Sequence, residues 1–227
     1  VHYDRDFRRQ SLVRLAQGYV AGTRILDMRC LTGTLAVALA EQGKEVVALD
    51  GYHGSVERTN ALARERGLQR PLARLWDLTD LARSVDGGRF DTVVCLDVLN
   101  HVRDDARTVE DIAQALVPGG RLVAAVPAYP GLLGKRDRSL GHLRRYTKAG
   151  LRQLLERCGF TIKLLRYWNI TALPFYALVE RGLRGRIPDE ARYGWGTTLG
   201  TWPNRALTWW YTTVENRLRA PSPPARR

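Results

Sequence analysis

Three aspartates stand at the ends of short apolar runs, at positions where side chains could bind a polar molecule. Asp27 and Asp50 end the runs 24–27 and 44–50, and Asp77 follows the run 71–76. Parallel strands place their carboxyl ends along one edge of a sheet, and open α/β sheets bind ligands at that edge. A carboxylate there accepts hydrogen bonds from hydroxyl and amino groups. Capping of strand ends is the alternative role, but three acids at three strand ends favour a binding site.

A second group of reactive side chains lies in residues 128–146, which we call the lid segment. Its 19 residues show no helical or strand periodicity, and connections of this length are usually functional loops or disordered. His142 and Tyr146 are its candidates for proton transfer. Arg144 and Arg145 are its candidates for binding an anion. For His142 and the two arginines, exposure as ordinary surface residues is the alternative.

The elements that must position these residues alternate between strand and helix patterns. Residues 24–50 are typical of a strand, a turn, a helix and a second strand. Further strands are predicted in residues 71–76, in 90–102, after a helix and a Pro-Gly-Gly turn in 106–128, and in 161–168. An amphipathic helix within residues 4–20 would lie over the mouth of the sheet, with Tyr3 and Arg8 facing a ligand. This alternation predicts an α/β fold with a doubly wound, mostly parallel sheet.

Several stretches together resemble class I S-adenosylmethionine (SAM) methyltransferases. The stretch LDMRCLTG that begins at Leu26 resembles the family's motif I, LD-x-G-C-G-T-G, and FDTVVCLDVLNHV resembles the fourth strand and its exit. The lid run GHLRRYT resembles a bacterial subgroup tied to cell-envelope sugars and natural products, including antibiotics. The resemblance covers residues 3 to about 170 and implies a Rossmann-like sheet in a cytoplasmic enzyme that uses SAM.

The resemblance also implies roles for individual residues. Those expected to bind the cofactor are Asp27, Arg29, Gly33, Asp50, Asp77, Leu78 and Asp97. Those expected to take part in catalysis are His142, His101 and Tyr146. Those expected to bind the substrate are Tyr3, Arg8, Asn100, Arg144 and Arg145. No metal ion is expected.

Motif I departs from the family at two positions, where Arg29 and Leu31 replace glycines. Glycine permits close approach of a ligand to the turn, so two larger side chains must alter what binds there. One hypothesis is a SAM-dependent methyltransferase in which Arg29 turns outward or pairs with the SAM carboxylate. A second is an enzyme that binds a nucleotide or nucleotide sugar, with Arg29 and lid arginines on the phosphates. A non-catalytic partner protein is the third.

Composition bears on partners and location. The net charge is +13, and residues 1–130 hold 17 basic and 17 acidic side chains, so the excess lies in 131–227, with 19 and 6. The excess is either an ordinary solvated basic surface or a site for an anionic small molecule or an anionic membrane surface. Nucleic acid is the weakest candidate, because no nucleic-acid-binding motif accompanies the charge. Three widely spaced cysteines predict neither a disulfide framework nor a zinc site, which fits a reducing cytoplasm. No apolar run is long enough to span a membrane.

We expect three regions along the chain. Residues 1–170 are predicted to form the Rossmann-like domain, and residues 171–219 a helical appendage rich in aromatic and basic residues. The appendage would pack on the domain or, through residues 192–219, contact a membrane surface. Residues 220–227 are predicted to be a disordered tail. We find no convincing seventh strand after residue 204, and the oligomeric state is not predicted.

Overall fold

The structure, a computed structural model, describes residues 7–76, 81–85 and 87–168. The chain divides into two compact units, residues 16–166 and residues 1–15 with 167–227. The first unit contains the sheet and the lid segment. The predicted appendage and tail, like any seventh strand, lie outside the described residues, and the predicted domain boundaries stay a prediction.

In the part of the chain that the structure describes, five parallel strands form one sheet. They are β1 (Arg24–Met28), β2 (Glu45–Asp50), β3 (Ala73–Leu75), β4 (Phe90–Leu96) and β5 (Leu116–Ala125). Their order across the sheet is β3-β2-β1-β4-β5, and every neighbouring pair runs parallel. The chain therefore reverses its direction of winding between β1 and β4, which is the position where doubly wound sheets bind ligands. The predicted fold class is confirmed.

Within the described residues the chain forms seven α-helices. They are α1 (Phe7–Gln17), α2 (Thr34–Glu41), α3 (His53–Glu65), α4 (Leu81–Ser84), α5 (Asp105–Ala115), α6 (Lys135–Ser139) and α7 (Lys148–Arg157). Side-chain caps begin two of them: Asp104 accepts from the Arg107 amide of α5, and Thr147 accepts from the Gly150 amide of α7. These caps satisfy backbone donors that have no partner within a helix. The helix predicted within residues 4–20 is confirmed as α1.

The core lies along the two central strands. Leu26 and Met28 of β1 and Val93 and Cys95 of β4 are fully buried, as expected for strands covered on both faces. The three cysteines of the chain are free thiols. A rigid central sheet fixes the turns that leave β1 and β4, and these turns carry the candidate site.

Two predicted details differ. The segment 161–168 forms no strand; Ile162 and Leu165 pack against the core, and within the described residues no backbone pairs with this segment. The Pro-Gly-Gly sequence lies inside β5, where the register shifts between the Phe90 and Thr92 pairings and Gly119 has φ 77°. It forms an irregularity in the strand and not a turn before it.

Candidate functional site

The turn after β1 keeps a glycine-like backbone without the glycines. Arg29 has φ 65° and Leu31 has φ 52°, and the following Gly33 has φ 77°. Left-handed backbone costs an L-residue roughly 1–2 kcal/mol relative to its usual conformation. The two replacements therefore keep left-handed backbone dihedral angles and add two side chains to the turn.

Asp50, the last residue of β2, braces this turn. Its Oδ2 accepts a hydrogen bond from the Leu31 amide at 2.9 Å, and its Oδ1 accepts one from the Tyr52 amide at 2.9 Å. The residue is 4% exposed. Asp50 thus supports the strained Leu31 in addition to the cofactor contact expected of it. Asp27 lies nearby on β1, paired in register with Ala48 and Val94, and is 3% exposed.

The Arg29 side chain crosses from β1 to β4. Its Nη1 donates a hydrogen bond to the carbonyl oxygen of Asp97 at 2.9 Å. Asp97 directly follows β4 and has φ 56°, a third non-glycine residue in left-handed backbone at this edge. The contact places a guanidinium at the gap between β1 and β4. Sequence reasoning predicted both residues at the cofactor site but not the link between them.

The exit of β4 carries Asn100 and His101. The pKa of His101 is lowered to about 4, chiefly by burial and further by the electrostatic effects of the neighbouring Arg29 and His142, so the imidazole is neutral at pH 7. Its Nε2 is buried and has no hydrogen-bond partner among the described residues. Asn100 was expected to line the cleft. It is fully buried, and its backbone carbonyl oxygen accepts from the Leu143 amide at 2.7 Å, which joins the lid segment to the exit of β4.

A buried carboxylate organises the lid segment. Asp137, 1% exposed, accepts from His142 Nδ1 at 2.9 Å and from Arg145 Nε at 3.0 Å through Oδ1. Its Oδ2 accepts from the Gly134 amide at 2.9 Å and from Arg145 Nη2 at 3.0 Å. We call Asp137, His142, Arg145 and Gly134 the Asp137 cluster. Burial raises the pKa of Asp137, but these hydrogen bonds and the charge of Arg145 outweigh burial. The pKa is therefore lower than that of an ordinary aspartate, and the carboxylate is ionised.

Sequence reasoning overlooked Asp137 as a site residue. The available signal was its charge, since it is the one acid among the arginines and lysine of the lid segment. The lid segment is also more ordered than its sequence suggested, with a 3-10 turn at Pro130–Leu132 followed by α6. Arg145 Nη1 donates to the Ala128 carbonyl oxygen at 3.1 Å and so ties the cluster to the start of the segment.

His142 faces His101 at the carboxyl edge of the sheet. The two ring centroids are 4.7 Å apart, and the ring planes stand at 89°. Arg29, which donates to the Asp97 carbonyl oxygen and lowers the pKa of His101, also lies at the ends of β1 and β4. The lid histidine and the motif I arginine, distant in sequence, therefore belong to one site.

Tyr146 and Arg144 attach the end of the lid segment to Asp105 at the start of α5. The Tyr146 hydroxyl lies 2.7 Å from Asp105 Oδ2 and 3.0 Å from the Leu99 carbonyl oxygen, and the ring is buried. Arg144 Nη1 lies 2.9 Å from Asp105 Oδ2. Burial and the Asp105 carboxylate raise the pKa of Tyr146 well above its usual value, so the phenol stays protonated.

These contacts give three of the predicted site residues a structural role, and their predicted roles in the reaction stay predictions. Tyr146 was predicted to be catalytic, and the structure gives it an anchoring position against α5. Arg144 and Arg145 were predicted to bind substrate, and both form internal ion pairs, with Asp105 and Asp137. A guanidinium committed to a protein carboxylate is poorly placed to bind a second anion.

Other predicted residues lie outside what the structure describes. These are Tyr3, Asp77 and Leu78, together with the side chain of Arg8 on α1. Within the described residues, no group of three His, Cys, Asp or Glu side chains is placed to hold a metal ion. No helix in that part of the chain is both long and apolar enough to cross a membrane.

Comparison with known proteins identifies the family. The family model described as a methyltransferase domain matches residues 1–165. The chain belongs to the methyltransferase-domain family. The predicted resemblance to methyltransferases is thereby confirmed at the level of the family.

Individual relatives of this methyltransferase domain differ in what their names say. The ubiquinone biosynthesis O-methyltransferase of Xanthomonas euvesicatoria is 36% identical over 103 residues, which are 45% of this chain and 42% of that protein. The chain thus spans less than half the length of that relative. A SAM-dependent methyltransferase structure from Mesorhizobium loti is 26% identical, covering 74% of this chain and 91% of its own, with TM-score 0.53. The [4+2]-cyclase SpnF is 23% identical, covering 91% and 74%, with TM-score 0.57.

Proposed function

We propose that this methyltransferase domain transfers a methyl group from SAM to a hydroxyl of a small acceptor. The observation that carries the proposal is the His142–Asp137 pair at the carboxyl edge of β1 and β4. With Nδ1 hydrogen-bonded to a buried carboxylate, the His142 ring has Nε2 available as the atom that accepts a proton from the acceptor molecule. Such a pair is the usual arrangement for removing a proton from a nucleophile.

The residues of the turn fit SAM as the second substrate. Residues 29 and 31 keep the left-handed backbone. The amides of Leu31 and Tyr52 donate to the two carboxylate oxygens of Asp50 and so fix the orientation of its side chain. A carboxylate oxygen accepts more than one hydrogen bond, so Asp50 can also bind a ribose hydroxyl. Bound SAM supplies an electrophilic methyl group. The chain's task is to align the acceptor oxygen with that group and to remove its proton.

For the acceptor we propose a small, anionic molecule of natural-product or cell-envelope assembly, including one linked to a sugar or nucleotide. The uneven charge supports this, since residues 131–227 carry the whole excess of +13. The names of the curated relatives support an oxygen nucleophile. We also propose a cytoplasmic protein whose residues 192–219 rest on the domain or on a membrane surface.

Labelled methyl transfer combined with a binding assay tests the proposal. Tritiated SAM is incubated with a panel of phenols and sugar hydroxyls, each with and without a phosphate or carboxylate. His142→Ala should lower transfer to the best acceptor by about 100-fold or more, since that is the usual contribution of a general base. Its affinity for S-adenosylhomocysteine should stay within about twofold of wild type, because His142 faces the acceptor.

A matched control is His53→Ala, which removes a histidine that is exposed at the start of α3. It should change neither quantity. Full transfer activity in the His142 variant would contradict the proposed role of His142. Transfer to no acceptor by a wild-type protein that binds S-adenosylhomocysteine would argue for a reaction other than methyl transfer.

A second candidate is binding of a nucleotide or nucleotide sugar without methyl transfer. It is favoured by the guanidinium of Arg29, which lies at the ligand edge of the sheet and suits a phosphate. One protein of similar fold, SpnF, is named a [4+2]-cyclase, so this fold also occurs in a protein that is not named as a methyltransferase. Calorimetric titration with nucleoside diphosphates and with S-adenosylhomocysteine separates the candidates. If S-adenosylhomocysteine binds and no nucleotide gives a binding heat, the nucleotide-binding candidate is excluded.

A further inference from the structure

Arg29 occupies a position in the turn where glycine would cost no backbone strain. We propose that Arg29 binds the carboxylate of the amino-acid part of SAM and thereby selects ligands that carry this group. The inference rests on the proposed function and names a residue that determines specificity for that substrate.

The distribution of charge at the ligand edge supports this assignment. In the turns that directly follow β1, β2 and β4, residues 29–33, 51–52 and 97–101, Arg29 is the one side chain with a full positive charge at pH 7. The imidazole of His101 stays neutral there. Asp27 and Asp50 are acids at the ends of β1 and β2. A ligand carboxylate is repelled by these acids, so within these turns it is attracted only toward Arg29.

An amino-acid zwitterion matches the two signs of charge on this turn. Asp27 and Arg29 lie two residues apart, on the last part of β1 and in the turn that follows it. The ammonium and carboxylate of an α-amino acid are attached to one carbon atom, so the pair of protein charges can meet both. A phosphate group has no ammonium, and Asp27 would repel it. This comparison favours an amino-acid tail over a nucleotide phosphate.

The guanidinium is also held in position before a ligand binds. Its Nη1 contact with the Asp97 carbonyl oxygen fixes the side chain across the gap between β1 and β4. An arginine that is already ordered loses little rotamer freedom on binding, so more of the interaction free energy appears as affinity. The planar donor fork suits a carboxylate.

Two ligands that differ only in the amino-acid tail test the inference. S-adenosylhomocysteine carries the tail, and 5′-methylthioadenosine carries the same nucleoside and sulfur without it. Arg29→Gly should weaken binding of S-adenosylhomocysteine by about 10- to 100-fold, the usual effect of losing a charge-assisted contact. Binding of methylthioadenosine should change by less than about threefold, since that ligand lacks the carboxylate. Isothermal titration of full-length protein measures both.

Leu31→Gly is the matched control. It relieves the same left-handed strain two residues away without removing a charge, so it should not weaken binding of S-adenosylhomocysteine relative to methylthioadenosine. Arg29→Gln keeps most of the side-chain length and should behave as Arg29→Gly, which guards against an effect of backbone freedom alone. Circular dichroism melting establishes that each variant is folded.

Three results would overturn the inference. Unchanged or tighter binding of S-adenosylhomocysteine by Arg29→Gly would show that Arg29 obstructs the ligand or does not touch it. Equal weakening of both ligands would show that Arg29 supports the site as a whole. Failure of wild-type protein to bind S-adenosylhomocysteine, with binding of nucleoside diphosphates, would remove the proposed function together with the inference, and this pattern differs from the other two.

Discussion

At the scale of single residues, the turn after β1 shows that a motif can lose its glycines and keep its conformation. Arg29 and Leu31 adopt the left-handed backbone that glycine adopts freely, and the Asp50 carboxylate holds the Leu31 amide in place. Strain of this kind persists where the surrounding structure determines it strongly. The turn therefore keeps its backbone conformation, while the Arg29 and Leu31 side chains add a positive charge and an apolar group to it.

The first prediction concerns Asp50, which both braces the turn and faces the ligand edge. Asp50→Ala should weaken binding of S-adenosylhomocysteine by about 10-fold or more, because a charged acceptor is lost and the turn is released. Asp91→Ala is the control, since Asp91 also accepts two backbone hydrogen bonds, from Thr23 and Arg24, at the opposite end of the strands. Calorimetry should find ligand affinity unchanged in the control. Equal losses in both variants would mean that only fold stability is at stake.

The second prediction concerns His101 and pH. Its pKa in the folded chain is lowered from 6.5 to about 4, chiefly by burial. Between these values the unfolded chain binds a proton that the folded chain does not, so the free energy of unfolding decreases as pH falls from 6.5 toward 4. His101→Gln should remove about 1–2 kcal/mol of this decrease, after allowance for the solvent that reaches the ring.

Urea denaturation at several pH values between 7 and 4 measures the effect as a difference in slope between wild type and variant. His53→Gln, a change at an exposed histidine, is the control and should reproduce the wild-type slope. Parallel curves for wild type and His101→Gln would contradict the prediction.

At the scale of elements, the lid segment is held from three directions. Asn100 joins it to the exit of β4, Asp105 joins it to α5 through Tyr146, and Arg145 joins its end to its beginning. A buried polar network of this kind, once fully satisfied, favours a single arrangement of the groups that belong to it. The network therefore fixes His142 relative to the sheet.

The third prediction tests the Asp137 cluster. Asp137→Asn should lower the free energy of unfolding by about 2–4 kcal/mol, because the buried charge of Arg145 loses its counter-charge. Glu156→Gln on α7 is the control, since it breaks the Arg152–Glu156 pair, whose side chains are about half exposed. Exposed pairs of this type contribute about 0.3–0.5 kcal/mol. Similar values for the two variants in chemical denaturation would mean that burial adds nothing to the Asp137 cluster.

Local sequence pattern predicted the elements that depend on local causes. The first strand, turn, helix and second strand followed from periodicity and the Gly33 turn, and the Thr147 cap followed from residue type. The strand expected at 161–168 did not form, because alternation reports burial on one face and says nothing about whether a neighbouring strand is available. The same limit applies to the irregular start of β5.

The candidate site was predictable in part. The acids at strand ends were identified because topology alone brings strand ends together. The Asp137 cluster was not identified, since nothing in the local sequence shows that one acid in a basic segment will be buried beneath His142 and Arg145. The contacts of Tyr146 and Arg144 with Asp105 were not predicted for the same reason, because Asp105 is about forty residues away in sequence.

At the scale of the whole molecule, charge is distributed unevenly between a balanced first part and a basic second part. Residues 131–227 contain 19 basic and 6 acidic side chains. Within the described residues, several of the arginines concerned are committed to internal pairs, as Arg144 and Arg145 are. Charge that binds an anionic surface must therefore come largely from arginines other than these two.

The last prediction follows from that excess of charge. Full-length protein should bind vesicles that contain an anionic lipid such as phosphatidylglycerol, and bind vesicles of phosphatidylcholine alone much more weakly. Each basic residue near an anionic surface contributes about 1 kcal/mol, and the attraction is screened within about 10 Å at 0.1 M salt. Raising sodium chloride from about 50 to 500 mM should thus reduce the bound fraction at least several-fold in a sedimentation assay. Binding that persists at high salt would indicate insertion of apolar side chains such as Trp209 and Trp210, and absence of binding at low salt would show that the basic region serves an anionic small molecule or the solubility of the chain instead.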